Sequence, residues 1–153
     1  DIIQKAVAPA IVEQSDSQIV SFYSRSVERA AEFAQRFDAR RCTHRFEAFL
    51  ADPEVDVVYV GGEVNRHCPE TIAAAEAGKH VVCEKPMALN SDECRRMVEA
   101  CARHGVGLAV AYYRRYYPTA RKLKELLQNG AIGRFGSGSK MLTEPGLLGM
   151  FEG

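Results

Sequence analysis

The sequence has no excess of charge of either sign, no long apolar run and no tryptophan. Its 153 residues carry 20 Lys and Arg against 20 Asp and Glu, so the net charge is zero. A chain without a basic field has little to hold a nucleic-acid backbone or an anionic membrane surface. No apolar run reaches the roughly 18 residues of a membrane helix, and the first residues lack the pattern of a signal peptide. We therefore expect a cytoplasmic protein with neither nucleic acid nor membrane as a partner.

The cysteines also lack a pattern. Five are present, an odd number, and none stands in a Cys-x-x-Cys pair. Zinc sites and disulfide frameworks depend on such pairs or on even numbers of cysteines. These cysteines lie in apolar stretches, where a thiol packs as a small hydrophobic group. We expect reduced, buried cysteines and no metal site.

Short apolar runs rich in β-branched residues alternate with segments of helical spacing. The runs cover residues 18–23, 55–60, 80–83 and 106–111, and the predicted helices cover residues 26–37, 69–77, 90–104 and 118–128. Strands that are apolar at consecutive positions are buried on both faces, and strand-helix-strand alternation of this length gives right-handed crossovers. The sequence predicts a doubly wound α/β fold with a parallel sheet. Residues 1–130 form this domain, and residues 131–153 are a linker and the start of a truncated second α+β domain.

Polar residues follow each apolar run, and ligands of open parallel sheets bind beyond the carboxyl ends of the strands. Four such segments at one sheet edge favour a ligand site, although loops are polar in many proteins. The segments are Ser24, Arg25 and Ser26; residues 61–67; residues 84–86; and residues 112–118.

The third segment carries the most information. A buried strand that runs directly into Glu84 and Lys85 must present both charges at the sheet edge, because unpaired buried charges are costly. Lys85 then points into the crevice, where its ammonium can hydrogen-bond a substrate hydroxyl and a cofactor ribose. Pro86 fixes the turn. The alternative is a plain ion pair between Glu84 and Lys85.

Residues 74–88, AAEAGKHVVCEKPMA, closely resemble the Glu-Lys-Pro signature of the glucose-fructose oxidoreductase, inositol dehydrogenase and MocA family. Residues 7–11, 50–60 and 114–118 look like further segments of that family. The resemblance implies a Rossmann-type NAD(P)-dependent oxidoreductase acting on a sugar, a polyol or a related carbonyl compound. It also implies that Lys85 lies near the nicotinamide and assists hydride transfer. The other residues expected near the cofactor are Ser24, Arg25, Ser26, Gly61, Asn65, His67, Glu84 and Arg115.

The cofactor's identity depends on the end of the second family strand, which carries Ser24, Arg25 and Ser26. NAD-binding domains usually have an acidic residue there for the ribose 2′-hydroxyl. Arg25 can instead form a forked pair with a 2′-phosphate, and Ser24 can donate to it. The sequence predicts NADP rather than NAD. The alternative is a solvated Arg25 with Ser26 as a helix N-cap.

Three departures from the family pattern modify these expectations. The first strand and its glycine-rich loop are not in the sequence, so we expect an open slot in the sheet and either marginal stability or association through strand edges, for example as a homo-oligomer. Glu63 follows Gly61 and Gly62 and is expected to repel phosphates unless Arg66 or His67 pairs with it. No histidine follows His104, so we expect the fragment alone to show little turnover.

Several interpretations stay open. The chain could be a non-catalytic nucleotide-binding remnant, or an interaction module that pairs through its strand edges. His67 is as consistent with packing against the sheet as with catalysis. Arg115 and Tyr116 could face the substrate or form a packed hinge.

Overall fold

A computed structural model describes residues 2–133 of the chain, and strands and helices alternate along them. The strands are β1 (Ser21–Tyr23), β2 (Arg41–Thr43), β3 (Val57–Val60), β4 (His80–Cys83) and β5 (Leu108–Val110). The helices are α1 (Ala8–Val12), α2 (Val27–Arg36), α3 (Phe46–Leu50), α4 (Val64–Glu76), α5 (Ser91–Arg103) and α6 (Pro118–Gln128). A π-helical turn, Ile3–Val7, precedes α1, and a 3-10 turn, Tyr113–Tyr116, precedes α6. Between residues 2 and 133 no helix is both long and apolar enough to cross a membrane.

The chain divides into two units, Asp1–Ala111 and Tyr112–Gly153. The first contains all five described strands, and the described part of the second contains the 3-10 turn and α6. The domain boundary at residue 130 stays a prediction. The second domain is predicted to start within residues 131–153, and of these the part from residue 134 onward lies outside the described residues.

Every described strand pairs in parallel with its neighbour, which confirms the predicted α/β class. β1 pairs with β2, and β3, β4 and β5 form a second sheet in that order. Val81 of β4 lies opposite Val58 on one side and Leu108 on the other. Among the described residues β1 and β3 do not pair with each other. The described strands therefore form two separate sheets, and the open slot expected from the sequence stays a prediction.

The core lies between the three-stranded sheet and the helices α4 and α5. Val58, Val81 and Cys83 of the sheet belong to the same buried cluster as Met97 of α5. Ala74 and Ala75 of α4 and Ala100 of α5 are fully buried. Small side chains let two helices approach closely, so these alanines keep α5 near α4.

Side chains close to the amino ends of the strands connect β2 to the three-stranded sheet. Arg41, at the start of β2, contacts Asp52 at 3.0 Å and also pairs with Glu54. Lys79, just before β4, donates to the Asp52 carbonyl at 2.8 Å. The hydrogen bond from Arg41 lowers the pKa of the Glu54 carboxyl. The turn between α3 and β3 is thus held from both sides.

Two helices begin with side-chain caps. The Ser26 hydroxyl accepts from the Arg29 N–H at 3.1 Å at the start of α2. The Asn90 side chain accepts from the Glu93 N–H at 2.9 Å, and the Glu93 carboxylate accepts from the Leu89 N–H at 3.0 Å. These bonds satisfy N–H groups that a helix cannot pair internally.

Helix α4 differs from the prediction, which started it at residue 69. It begins at Val64 and contains Pro69 in its second turn. Proline favours the first helical position, which is why the sequence suggested a later start. An interior proline removes an i→i−4 hydrogen bond, and α4 forms despite that loss. The longer helix brings Asn65, Arg66 and His67 into its first turn.

Candidate dinucleotide and substrate site

The carboxyl ends of β1, β3 and β4 position the candidate site residues of the first unit. Backbone hydrogen bonds continue one residue beyond the strands: Ser24 N–H donates to the Thr43 carbonyl at 3.2 Å, and Glu84 N–H donates to the Val60 carbonyl at 2.8 Å. Polar segments therefore leave the sheets from fixed starting points.

Glu84 is buried at the end of β4, and Lys85 beside it is exposed. The Glu84 carboxylate accepts from the Tyr59 hydroxyl at 2.6 Å and from the Lys85 N–H at 2.9 Å. A buried carboxylate needs donors of this kind. Within the described residues the Glu84 carboxylate thus accepts hydrogen bonds from a hydroxyl and a backbone N–H group. The alternative offered by the sequence, a plain ion pair between Glu84 and the Lys85 ammonium, is not what the structure shows.

Tyr59 is a residue that sequence reasoning did not assign to the site. It stands in the otherwise aliphatic strand β3, and its hydroxyl reaches the carboxylate of the neighbouring strand. The only signal in the sequence is a polar-tipped aromatic residue within a run of valines. Tyrosine places a hydroxyl at the end of an apolar ring, so it can pack in a sheet and still pair with Glu84.

His67 is buried behind the loops at the sheet edge, with 1% of its surface exposed. Its Nδ1 lies 3.0 Å from the Pro86 carbonyl oxygen, and its Nε2 lies 3.2 Å from that of Gly62. Both partners are backbone carbonyls of the loops that follow β3 and β4, so the ring lies between these two loops. This arrangement favours packing and loop support, one of the two interpretations open from the sequence. The predicted contact of His67 with the cofactor stays a prediction.

Gly61 lies at a close approach inside the protein. A Cβ atom at Gly61 would lie 2.7 Å from Ile3 Cδ1 and 3.1 Å from Tyr59 Cε1, whereas one at Gly62 would meet no atom within 4 Å. The close neighbours of Gly61 are thus the π-helical turn and β3. Asn65, in the first turn of α4, is exposed. Whether Gly61 and Asn65 contact a cofactor stays a prediction.

Glu63 forms an ion pair with Arg25, and not with Arg66 or His67, the two residues that the sequence offered as partners able to offset its charge. Arg25 Nη2 lies 3.3 Å from Glu63 Oε2, and both side chains are about two-thirds exposed, at 69% and 67%. Arg66 pairs instead with Glu70 at 3.1 Å, four residues further along α4. Helical spacing favours that partner, and His67 faces the protein interior. The Arg25–Glu63 pair spans from the end of β1 to the end of β3.

Ser24 and Ser26 build the turn around Arg25. Ser24 Oγ accepts from the Ser26 N–H at 3.3 Å. Ser26 caps α2 and donates to the Glu28 carboxylate at 2.7 Å, which lowers the pKa of that carboxyl. The N-cap role given as an alternative for Ser26 is therefore present. The amino end of α2, which favours anions, lies directly beside Arg25.

Arg115 and Tyr116 belong to the second unit, which is described by itself. The guanidinium of Arg115 lies 5.9 Å from the Tyr116 ring centroid, and that of Arg121 lies 5.7 Å from it. Tyr116 is exposed. Cation–π contacts thus organise this segment, and its expected contacts with cofactor and substrate stay predictions.

The cysteines of residues 2–133 are all free thiols, but not all of them are buried. Cys68, Cys83 and Cys101 are buried as expected, whereas Cys42 is exposed and Cys94 is partly so. Cys42 lies on the short strand β2, which among the described strands pairs with β1 alone, so the expectation of burial is wrong there. Burial raises the pKa of the Cys83 thiol to about 11. Between residues 2 and 133 no cluster of three or more His, Cys, Asp or Glu is arranged to hold a metal ion.

Native alkylation with iodoacetamide at pH 8 is expected to modify Cys42 first and to leave Cys83 unmodified. The thiolate is the reactive form, and the raised pKa keeps Cys83 protonated at this pH. Peptide mass spectrometry after timed quenching measures the two rates. In 8 M urea all five cysteines should react, and C42S should remove the fast phase. Rapid native modification of Cys83 would contradict the expectation.

The fold and the residues at the sheet edge define the structural class of the protein. Parallel strands alternate with helices, and charged and hydroxyl groups meet at the carboxyl ends of strands from two sheets, which is the plan of a Rossmann-type nucleotide-binding domain. The Gfo/Idh/MocA model, described as an oxidoreductase family with an NAD-binding Rossmann fold, matches residues 2–112. The chain belongs to this family, as the Glu-Lys-Pro segment suggested.

Curated relatives and solved structures agree with this assignment. The chain is 38% identical over 119 residues to trans-1,2-dihydrobenzene-1,2-diol dehydrogenase of Mus musculus, covering 78% of this chain and 36% of that protein. It is 35% identical over 123 residues to 1,5-anhydro-D-fructose reductase of Ensifer adhaerens, covering 80% and 37%. A 3-ketoreductase from Actinomadura kijaniata, solved with NADP and TDP-benzene, superposes with a TM-score of 0.79 at 27% identity, covering 85% and 40%. The chain therefore spans well under half the length of these relatives.

Proposed function

We propose that this chain is the dinucleotide-binding part of an NADP-dependent oxidoreductase that acts on a sugar, a polyol or a related carbonyl compound. The observation that carries the proposal is the placement of an exposed Lys85 directly after a buried Glu84 at the end of β4, the middle strand of its sheet. The similar proteins, which include trans-1,2-dihydrobenzene-1,2-diol dehydrogenase and 1,5-anhydro-D-fructose reductase, support this substrate class. Residues 1–130 are proposed as the nucleotide-binding domain.

Lys85 is the proposed catalytic residue. Its ammonium is exposed, while its backbone N–H is held by the Glu84 carboxylate. A bound nicotinamide dinucleotide supplies or accepts the hydride in this class of reaction. Lys85 can donate hydrogen bonds to the oxygen of the reacting carbon and to a ribose hydroxyl, and it stabilises negative charge that develops on that oxygen. Tyr59 and Glu84 hold the backbone from which it projects.

Arg25 and Ser24 are the proposed contacts to the 2′-phosphate of NADP. Arg25 is mostly exposed and lies one residue before the N-cap of α2. A guanidinium with neighbouring hydroxyl and amide donors suits a phosphate, because charge-assisted bonds can form from several directions. NADP complexes among the similar structures support this choice over NAD.

Titration with NADPH and NADH tests the cofactor assignment. We expect tighter binding of NADPH, and we expect R25Q to weaken NADPH binding about 10- to 30-fold while NADH changes less than about threefold, since one charge-assisted phosphate contact is lost. Nicotinamide fluorescence provides a clear signal because the chain has no tryptophan. R36Q is the matched control, because Arg36 lies at the far end of α2 over the Phe37 ring. Equal or tighter NADH binding by the unmodified chain would overturn the assignment.

A further inference from the structure

The Arg25–Glu63 ion pair brings together two residues that have no local reason to meet. They are 38 positions apart in sequence and lie at the ends of strands in different sheets. Glu63 occupies the N-cap position of α4, yet its side chain makes no capping hydrogen bond there. The carboxylate is directed instead to the guanidinium at the start of α2.

Such a pair contributes little to folding. Both side chains are mostly solvated, and exposed ion pairs of this kind add at most about a factor of five to stability. The carboxylate nevertheless occupies an edge of the guanidinium that a phosphate would use. Glu63 accepts from Arg25 Nη2 at 3.3 Å, and a phosphate in a forked pair with Arg25 would need that same N–H group, so binding of one excludes the other from it.

We propose that Glu63 is a specificity-determining residue that competes with the 2′-phosphate of NADP for Arg25. This inference rests on the proposed NADP site and goes beyond it, because it assigns to Glu63 a role that opposes binding of the 2′-phosphate. A 2′-phosphate must displace Glu63 from Arg25 and lie near its negative charge. A ribose with a free 2′-hydroxyl meets neither cost. Glu63 therefore narrows the preference for NADP over NAD that Arg25 creates.

The experiment uses adenosine 2′,5′-bisphosphate and adenosine 5′-monophosphate as probes, because they differ only in the 2′-phosphate and need neither hydride transfer nor a nicotinamide pocket. Calorimetric titrations at low salt compare the unmodified chain with E63Q, R25Q and the double variant. E32Q is the matched control, since it removes one negative charge from the exposed surface of α2.

We expect E63Q to tighten binding of the bisphosphate about five- to tenfold and binding of the monophosphate less than twofold. E32Q should change the affinity for either probe less than about twofold. In the R25Q background E63Q should have no selective effect, because the contested group is gone. Raising the salt to 0.5 M should shrink the E63Q effect, as screening weakens exposed charge interactions.

The outcomes separate this inference from the NADP assignment. If R25Q weakens the bisphosphate but E63Q matches E32Q, the competition is refuted and the NADP site stands. If R25Q leaves the affinity for the bisphosphate unchanged, or if none of the proteins binds the bisphosphate, the NADP assignment and the competition by Glu63 are both refuted. If E63Q weakens the monophosphate, Glu63 accepts from the ribose hydroxyl, and the competitive role is refuted.

Discussion

Replacement of Met97 by alanine is expected to lower the free energy of unfolding by about 2–5 kcal/mol, the usual cost of emptying a buried methionine site. Met97 has 0% of its surface exposed and lies in the same buried cluster as Val58 and Val81. Truncation removes apolar contacts and leaves a cavity that the rigid sheet cannot fully close. A loss of this size is a large part of the roughly 5–15 kcal/mol that stabilises a domain.

The neighbouring residue provides the control for that experiment. Val98 lies next to Met97 on α5 and is 54% exposed, so V98A should change stability by less than about 0.5 kcal/mol. Urea denaturation followed by far-UV circular dichroism compares the variants with the unmodified chain. Equal losses for M97A and V98A would show that α5 does not pack against the sheet as described.

Replacement of Tyr59 by phenylalanine is expected to destabilise the fold by about 2–3 kcal/mol, the range for losing a hydrogen bond to a charged group. The variant removes one hydroxyl and leaves the ring in place. It takes the 2.6 Å donor from a Glu84 carboxylate that is 5% exposed. The bond from the Lys85 N–H remains, so we expect partial and not complete loss of its stabilisation.

A matched variant and a double-mutant cycle separate this effect from a general loss of tyrosine packing. Y23F removes a hydroxyl from a half-buried ring at the end of β1 that packs on Phe46, and it should cost well under 1 kcal/mol. The effects of Y59F and E84Q should not add, because both act on one bond. Additive losses would mean that Tyr59 does not support Glu84.

Local signals account for the elements that the sequence predicted well. The strand His80–Cys83 and the helix Pro118–Gln128 have the predicted bounds. The strand is a run of apolar residues between Gly78 and the charged Glu84, and the helix begins at a proline and ends before Asn129 and Gly130. The residues next to each boundary indicate where the element starts or ends, so these boundaries can be predicted without knowledge of tertiary contacts.

Elements without such signals were missed. The strand β2 has three residues, two of them exposed, and the helix α3 has only five. A segment this short shows no periodicity that distinguishes it from a loop. β2 exists because it pairs with β1, with Cys42 opposite Phe22, and that pairing depends on the rest of the fold.

The same distinction holds in the candidate site. The emergence of Glu84 and Lys85 at a strand end follows from neighbouring residues, and the sequence predicted it. The partners of Glu84 and Glu63 lie 25 and 38 positions away. Such contacts depend on which strands lie side by side, so sequence spacing suggested the nearby Arg66 and His67 for Glu63 instead.

The different pairing of the strands gives the two halves of the candidate site unequal local stability. β4 is hydrogen-bonded on both edges, to β3 and to β5, whereas within residues 2–133 β1 is bonded to β2 alone. Local opening favours elements with few ladder bonds and exposed surroundings. We therefore expect the turn that presents Lys85 to stay ordered through fluctuations that loosen the turn around Arg25, and we expect the proposed phosphate-binding half to gain order when a ligand binds.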